Sequence, residues 1–247
     1  MNHFKIIVPF YNVEKWIKLC IKSVKIQTYT NFQCILIDDI SNDNTNAIVR
    51  DLIKDDDRFL LINNSKKQFA LKNIIDGIDI SKPSDEDVLI TLDGDDWLYN
   101  EFVLQDLNDI YNEKLCQITY GKYVEYPSGT VSNYVSKYSD NIIKNNLFRN
   151  DLWKATHLRT FKYKLWKNID QKDFLDEDKN YLDVTWDMAF MFPMLEMAGR
   201  KQECIDKILY VYNRDNPLSD DKIKRQKQLK YENIIRNRKK YNLLFED

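Results

Sequence analysis

Four short apolar runs of strand length alternate with three stretches whose apolar residues recur at helical spacing. The runs are Phe4 to Val8, Cys34 to Ile37, Phe59 to Ile62 and Val88 to Leu92. Between the first two, Val13, Trp16, Ile17, Cys20, Ile21 and Val24 fall on one helical face. Ala47, Ile48, Leu52 and Ile53 mark the second helix, and Leu71, Ile74, Ile75 and Ile78 the third. Val88 to Leu92, aliphatic without polar alternation, reads as a strand buried on both faces, and Cys34 to Ile37 as a second buried strand. The alternation of the four runs with helices predicts an α/β fold with a parallel sheet wound by helices.

In such sheets ligands bind outside the carboxyl ends of the strands. Three of these ends carry polar groups: Pro9-Phe10-Tyr11-Asn12, Asp38-Asp39 and Asp93-Gly94-Asp95-Asp96. Carboxylates as crowded as Asp93, Asp95 and Asp96 repel one another unless a cation sits among them. Oxygen ligands of this kind suit a hard divalent ion, Mn²⁺ or Mg²⁺. Gly94 would let the backbone turn tightly and a ligand approach it closely. Read alone, Asp-Gly-Asp-Asp is also compatible with an acidic turn after a strand. The chain has no G-x-G-x-x-G and no Walker loop, so glycine amides do not cradle phosphates here, and a metal must neutralise them instead.

The 247 residues suffice for one large domain or two small ones. A formal net charge of −2 gives no general attraction to nucleic acid. Cys20, Cys34, Cys116 and Cys204 lack metal-ligand spacing and read as reduced core residues. With no apolar run of membrane-spanning length and no signal peptide at the start, the expectation is a cytoplasmic protein.

Beyond Trp97, the pattern predicts a helix over 101–111, a strand over 117–126 and a hairpin strand over 131–135. Residues 138–185 show little periodicity and hold Trp153, His157, Arg159 and Trp166. A helix follows over 187–197, then a strand over 205–212. From Ser219 a basic helix is expected, with a thin apolar stripe of Ile223, Leu229, Ile234 and Ile235. It reads as a solvated helix packed by one face, or as a peripheral contact with an anionic membrane surface.

The order of these pieces resembles glycosyltransferase family 2, whose fold is the Rossmann-like GT-A fold. The likeness runs from Ile6-Ile7-Val8-Pro9-Phe10-Tyr11-Asn12 through Ile37-Asp38-Asp39-Ile40-Ser41-Asn42-Asp43-Asn44-Thr45, where Ile40 stands in place of a usual glycine. It continues in Ala70-Leu71-Lys72-Asn73, Leu92-Asp93-Gly94-Asp95-Asp96 and Thr185-Trp186-Asp187, and closes at Tyr212 and Arg214. The resemblance implies one catalytic domain over 1–215, with a nucleotide-sugar half (1–115), an acceptor half (116–215) and a basic helical tail (216–247). It also implies a nucleotide-diphosphate sugar donor, most often a UDP-sugar, and a glycan, lipid-linked or protein acceptor.

On that likeness Pro9, Tyr11 and Asp39 would hold the uracil end, and Asp93 would face the ribose or base, beside Gly94. Lys72 would contact the donor, as a lysine where arginine is usual. Asp95 would ligate the divalent ion, with Asp96 close by and His157 as a candidate to complete the shell. Arg159, Arg214 and Lys222 are candidates for the pyrophosphate. Asp187 would be the general base of an inverting transfer, its setting between Trp186 and Met188 strengthening it by partial burial. Two other classes share parts of the pattern: a sugar-phosphate nucleotidyltransferase with the same acidic metal site, and a non-catalytic sugar-nucleotide-binding protein.

Overall fold

A computed structural model describes residues 1–217 and 220–245. Its strands are β1 (Phe4–Phe10), β2 (Phe32–Asp38), β3 (Phe59–Asn63), β4 (Val88–Thr91), β5 (Trp97–Leu98), β6 (Ile118–Tyr126), β7 (Thr160–Lys162) and β8 (Gln202–Asn213). The helices are α1 (Ile17–Lys25), α2 (Thr45–Ile53), α3 (Phe69–Ser81), α4 (Val103–Lys114), α5 (Asp140–Lys144), α6 (Tyr163–Trp166), α7 (Trp186–Ala198), α8 (Asp220–Ile223) and α9 (Arg225–Arg236). The strands form one sheet in the order β3-β2-β1-β4-β7-β6-β8-β5.

The first four strands pair in parallel; β1, β2 and β4 are buried almost throughout, whereas β3, at the edge of the sheet, leaves Leu60 exposed. Beyond β4 the sheet is mixed. β7 runs antiparallel to both β4 and β6, β6 and β8 are parallel, and β5 adds an antiparallel edge. Alternate residues of β1 feed opposite cores. Ile7 packs with Leu71, Ile74 and Ile78 of α3 and with the apolar residues of α7. Phe4, Ile6, Val8 and Phe10 pack with α1, α2 and α4. Helix α7 buries all its residues but Asp187, which is why its sequence shows no polar face.

The second half departs from expectation in three places. The hairpin strand over 131–135 reduces to a single bridge between Val124 and Val131, supported by the Glu125 amide on the Thr130 carbonyl and the Ser132 amide on the Tyr123 carbonyl. Strands β5 and β7 are too short to leave a periodic signature. The basic helix is two helices, separated at Lys224, and its expected start, Ser219, lies outside the described residues. Its buried face is also different. Tyr231 and Ile235 enter the core while Ile223 and Leu229 stay exposed, so the tail is part of the packed domain. Of the cysteines expected in the core, Cys20, Cys34 and Cys116 are buried and Cys204 is half-buried. Among the described residues no helix is long and apolar enough to cross a membrane.

Candidate functional site

The polar strand ends meet because the chain leaves β1 and β4 on the same rim of the sheet. Gly94 makes this approach possible. Its N–H donates to the Pro9 carbonyl at 3.2 Å, and a Cβ there would fall 2.4 Å from Phe10 Cβ. The close neighbour that this glycine admits is therefore β1 of the protein itself. At this rim lies a cavity of about 790 Å³, of the size that small-molecule sites occupy. Pro9, Tyr11, Asp39, Asp93, Gly94, Asp95, Asp96, His157, Arg159, Asp187 and Arg214 all line it. Residues drawn from both halves of the sequence thus face one space.

At one end, Asp39 is held by the protein's own donors. Oδ1 accepts from Asn64 Nδ2 at 2.9 Å and from the Gln68 amide at 2.8 Å, and Oδ2 accepts from the Phe69 amide at 2.9 Å. Burial alone would raise this carboxyl, but these donors outweigh it and hold Asp39 below the ordinary carboxylate range. Lys67 Nζ lies 3.3 Å from Asp39 Oδ2 and 2.8 Å from the centre of the Tyr11 ring. Lys72, the expected donor contact, does not line the cavity; it pairs with Asp76 one helical turn on. Lys67, Phe69 and Asn73 line this end of the cavity instead. Lys222 also lies off the cavity, donating to the carbonyls of Arg214 and Asn216.

The acidic cluster divides in a way that residue spacing does not reveal. A turn closed by the Asp96 amide on the Asp93 carbonyl, at 3.0 Å, brings the first and last carboxylates together. Asp93, Asp96 and His157 form the one group among the described residues whose oxygen and nitrogen ligand atoms lie within 4.8 Å of one another. Asp95, the expected principal ligand, stands outside that group, and its Oδ2 accepts from Asn216 Nδ2 at 2.6 Å. Asp96 is 1% exposed and accepts from Tyr210 Oη at 2.6 Å and the Asn213 amide at 2.7 Å. Burial first, then the charges of Asp95 and Asp93, push its carboxyl well above the usual value. His157 is stacked on Tyr210 at 4.4 Å, and burial and the Arg159 charge push its imidazole well below the usual value. Two repelling carboxylates beside an imidazole that resists protonation are a donor set that fits a divalent cation.

Asp187, also on the cavity wall, sits in the first turn of α7. Its surroundings are less apolar than Trp186 and Met188 suggest, since Arg159 Nη1 donates to Oδ2 at 2.8 Å. The Asp187 side chain is 23% exposed and the Arg159 side chain 4%. Aromatic side chains of Tyr134, Trp153 and Trp186 also line the cavity, as do Arg225 and Gln228 of α9. No sequence signal marked these two α9 residues, because the charge pattern of the tail gives no register against the rest of the chain.

Comparison with known proteins accords with this geometry. A family model described as Glycosyl transferase family 2 matches residues 5–173. Glycosyltransferase GlyG of Streptococcus pneumoniae is 29% identical over 121 residues, which is 49% of this chain and 39% of that protein. The chain therefore spans well under half the length of this relative. Among solved structures, S. aureus TarS 1-349 in complex with UDP-GlcNAc superposes with a TM-score of 0.67 at 16% identity, over 94% of this chain and 65% of that one. The mannosyltransferase PcManGT from Pyrobaculum calidifontis, in complex with GDP-Man and Mn²⁺, gives 0.66 at 14% identity, over 97% of this chain and 66% of that one. At such identities the two structures establish a shared fold.

Proposed function

The chain belongs to glycosyl transferase family 2, and from that footing we propose that it moves a sugar from a nucleotide-diphosphate donor to an acceptor hydroxyl, with inversion at the anomeric carbon. A UDP-sugar is the favoured donor, and a glycan, a lipid-linked saccharide or a protein is the acceptor. The observation that carries this reading is the single cavity shared by Asp39, the Asp93–Asp96 turn, His157 and Asp187. The TarS and PcManGT complexes, which hold UDP-GlcNAc and GDP-Man with Mn²⁺, support a nucleotide sugar as the class of donor.

The roles follow from position. Tyr11 and Asp39 receive the nucleoside at the β1 and β2 ends. Asp93, Asp96 and His157 would hold Mn²⁺ or Mg²⁺, which supplies positive charge to the departing diphosphate. Arg214, also on the cavity wall, adds a fixed charge for the same anion. Asp187 takes the proton of the acceptor hydroxyl as its oxygen bonds to the anomeric carbon. The bond from that carbon to the phosphate oxygen breaks, and the nucleoside diphosphate leaves with the electron pair. Trp153, Trp186 and Tyr134 offer ring faces to the C–H faces of a sugar.

A thermal-shift screen of nucleotide sugars with Mn²⁺ identifies the donor, because a ligand specific for the native state raises its melting point. With that donor, Asp187→Asn keeps donor affinity and loses about 10²–10⁴-fold in transfer, the range associated with a general base. Near-normal turnover removes Asp187 as the base. Pyrophosphate release from a sugar phosphate and a nucleoside triphosphate, with no transfer from any nucleotide sugar, overturns the reading as a whole.

A further inference from the structure

Two buried arginines invite contrast. Arg149 is satisfied at every nitrogen: Nε and Nη2 donate to the two oxygens of Glu196 at 2.6 and 2.9 Å, and Nη1 to the Ile235 carbonyl at 2.7 Å. It reads as a structural clamp. Arg159, 3% exposed, is not satisfied in this way. Nη1 reaches Asp187 Oδ2 at 2.8 Å, Nη2 lies 3.2 Å from His157 Nδ1, and Nε is buried with no partner. A guanidinium buried with an orphaned donor costs stability. A purely structural role gives no reason to keep it there.

The root of Arg159 is rigid. It directly precedes β7, which lies between β4 and β6 in the sheet. The neighbouring Thr160 hydroxyl is locked by Tyr111 Oη at 2.8 Å and Thr119 Oγ1 at 2.6 Å. The guanidinium is further confined by the Trp186 ring, 5.5 Å away. It takes only one oxygen of Asp187, and among the described residues no donor reaches the other, Oδ1. One flat, rigidly anchored group therefore touches the acceptor-side carboxylate with one arm and the imidazole of the acidic cluster with the other.

Building on the reading of Asp187 as the base, we propose that Arg159 is its positioning residue. Arg159 holds Oδ2 so that Oδ1 faces the incoming hydroxyl, and through His157 it sets the spacing between that base and the diphosphate end of the cavity. Inverting displacement needs the attacking and departing oxygens in line, so this spacing bears directly on turnover. The role differs from binding the pyrophosphate, the part expected of Arg159 from sequence. A positioning residue acts through Asp187, whereas an anion contact acts independently of it.

The test is a double-mutant cycle on the full chain with Arg159→Ala, Asp187→Asn and the double variant, measuring kcat and KM for donor and acceptor. Melting point and calorimetric affinity for UDP with Mn²⁺ are measured alongside. The expected loss for Arg159→Ala is about 10–100-fold in kcat, the scale of a misplaced catalytic group, with UDP affinity unchanged. The double variant is expected to be no slower than Asp187→Asn alone, and added guanidinium ion to restore Arg159→Ala but not Asp187→Asn. Losses that multiply in the double variant, or a fall in UDP affinity with kcat intact, overturn the proposal. If Asp187→Asn turns over normally the base reading itself has failed, which the cycle separates from a failure of Arg159 alone. Should Arg159→Ala melt early, Arg159→Lys replaces it. The lysine keeps the charge, but one ammonium cannot span both partners, so its kcat loss is expected to persist. Full activity in Arg159→Lys overturns the proposal.

Discussion

The two halves of the sheet hold their site residues by different means. In the first, β1 to β4 run parallel and their ends fall on one rim, so backbone register does the placing. Asp39 is fixed largely by the amides of Gln68 and Phe69. In the second half, long-range side-chain pairs do the same work. Arg149 and Glu196 join the 148–150 turn to α7, and Arg159 joins the start of β7 to Asp187. Arg238 donates to the carbonyls of Asp173 and Leu175. Substitution should therefore damage the second half through lost partners and the first half through backbone conformation.

The largest effect should come from Glu196→Ala. The Arg149–Glu196 pair is 1% and 0% exposed, and Glu196 Oε2 also accepts the Tyr241 amide at 2.9 Å. Removing one partner of a buried pair costs about 3–5 kcal/mol, because the other charge is left unsatisfied. A urea midpoint corresponding to less than about 1 kcal/mol would mean that this pair does not hold the second half together.

The seam between the halves offers a second, smaller test. Asp93 and Asp96 come from the first half and His157 from the second, so a cation there would bridge them. The folded-state value of Asp96 is raised. Its contribution to stability is complete below about 3.9, the usual aspartate value, and is lost as pH rises through the folded value. His157 is shifted the other way. Its contribution is present above about 6.5 and is lost as pH falls through its lowered value. A cation needs Asp96 ionised and His157 neutral; the lowered value of His157 favours its neutral form, and rising pH favours the ionisation of Asp96. The rise in melting point on adding Mn²⁺ should therefore grow from pH 5.5 to 7.5, reaching several degrees at saturation, the scale expected of about 2–3 kcal/mol of binding linkage. An equal shift at both pH values, or one that survives in Asp93→Asn, would place the ion elsewhere.

What could be read from the chain follows the same division. Buried parallel strands and the helices between them write local patterns, so the first half and its three polar ends were legible. Which side chain faces the cavity was not. Lys72 and Asn73 are consecutive on α3, yet a step of about 100° turns one towards Asp76 and the other to the cavity. In Asp93-Gly94-Asp95-Asp96 the three carboxylates are equivalent in composition, and only the turn pairs Asp93 with Asp96 and leaves Asp95 to Asn216. In the second half, Arg159 finds Asp187 across 28 residues and Arg149 finds Glu196 across 47. No local period encodes pairs at such separations.

The smallest effect probes the first half directly, at Ile40. This residue has a φ of 62° and is 43% exposed. A β-branched side chain in the left-handed region is an outlier, and holding it there costs about 1–3 kcal/mol. Ile40 follows Asp39 at the exit of β2, where the chain must turn for Ser41 N to reach Asp38 Oδ1 at 2.8 Å. Glycine adopts this φ without steric cost but gives up about 0.5–1 kcal/mol in unfolded-state entropy. Little packing is lost from a side chain so open to solvent. Ile40→Gly should therefore gain about 1 kcal/mol, a rise of about 2–4 °C in Tm for a chain of this size. UDP affinity should hold, since Asp39 keeps its amide donors from Gln68 and Phe69. A lower Tm would mean that packing around Ile40, and not the backbone of the turn, sets this end of the cavity, and the contrast between the two halves would fail where it ought to be clearest.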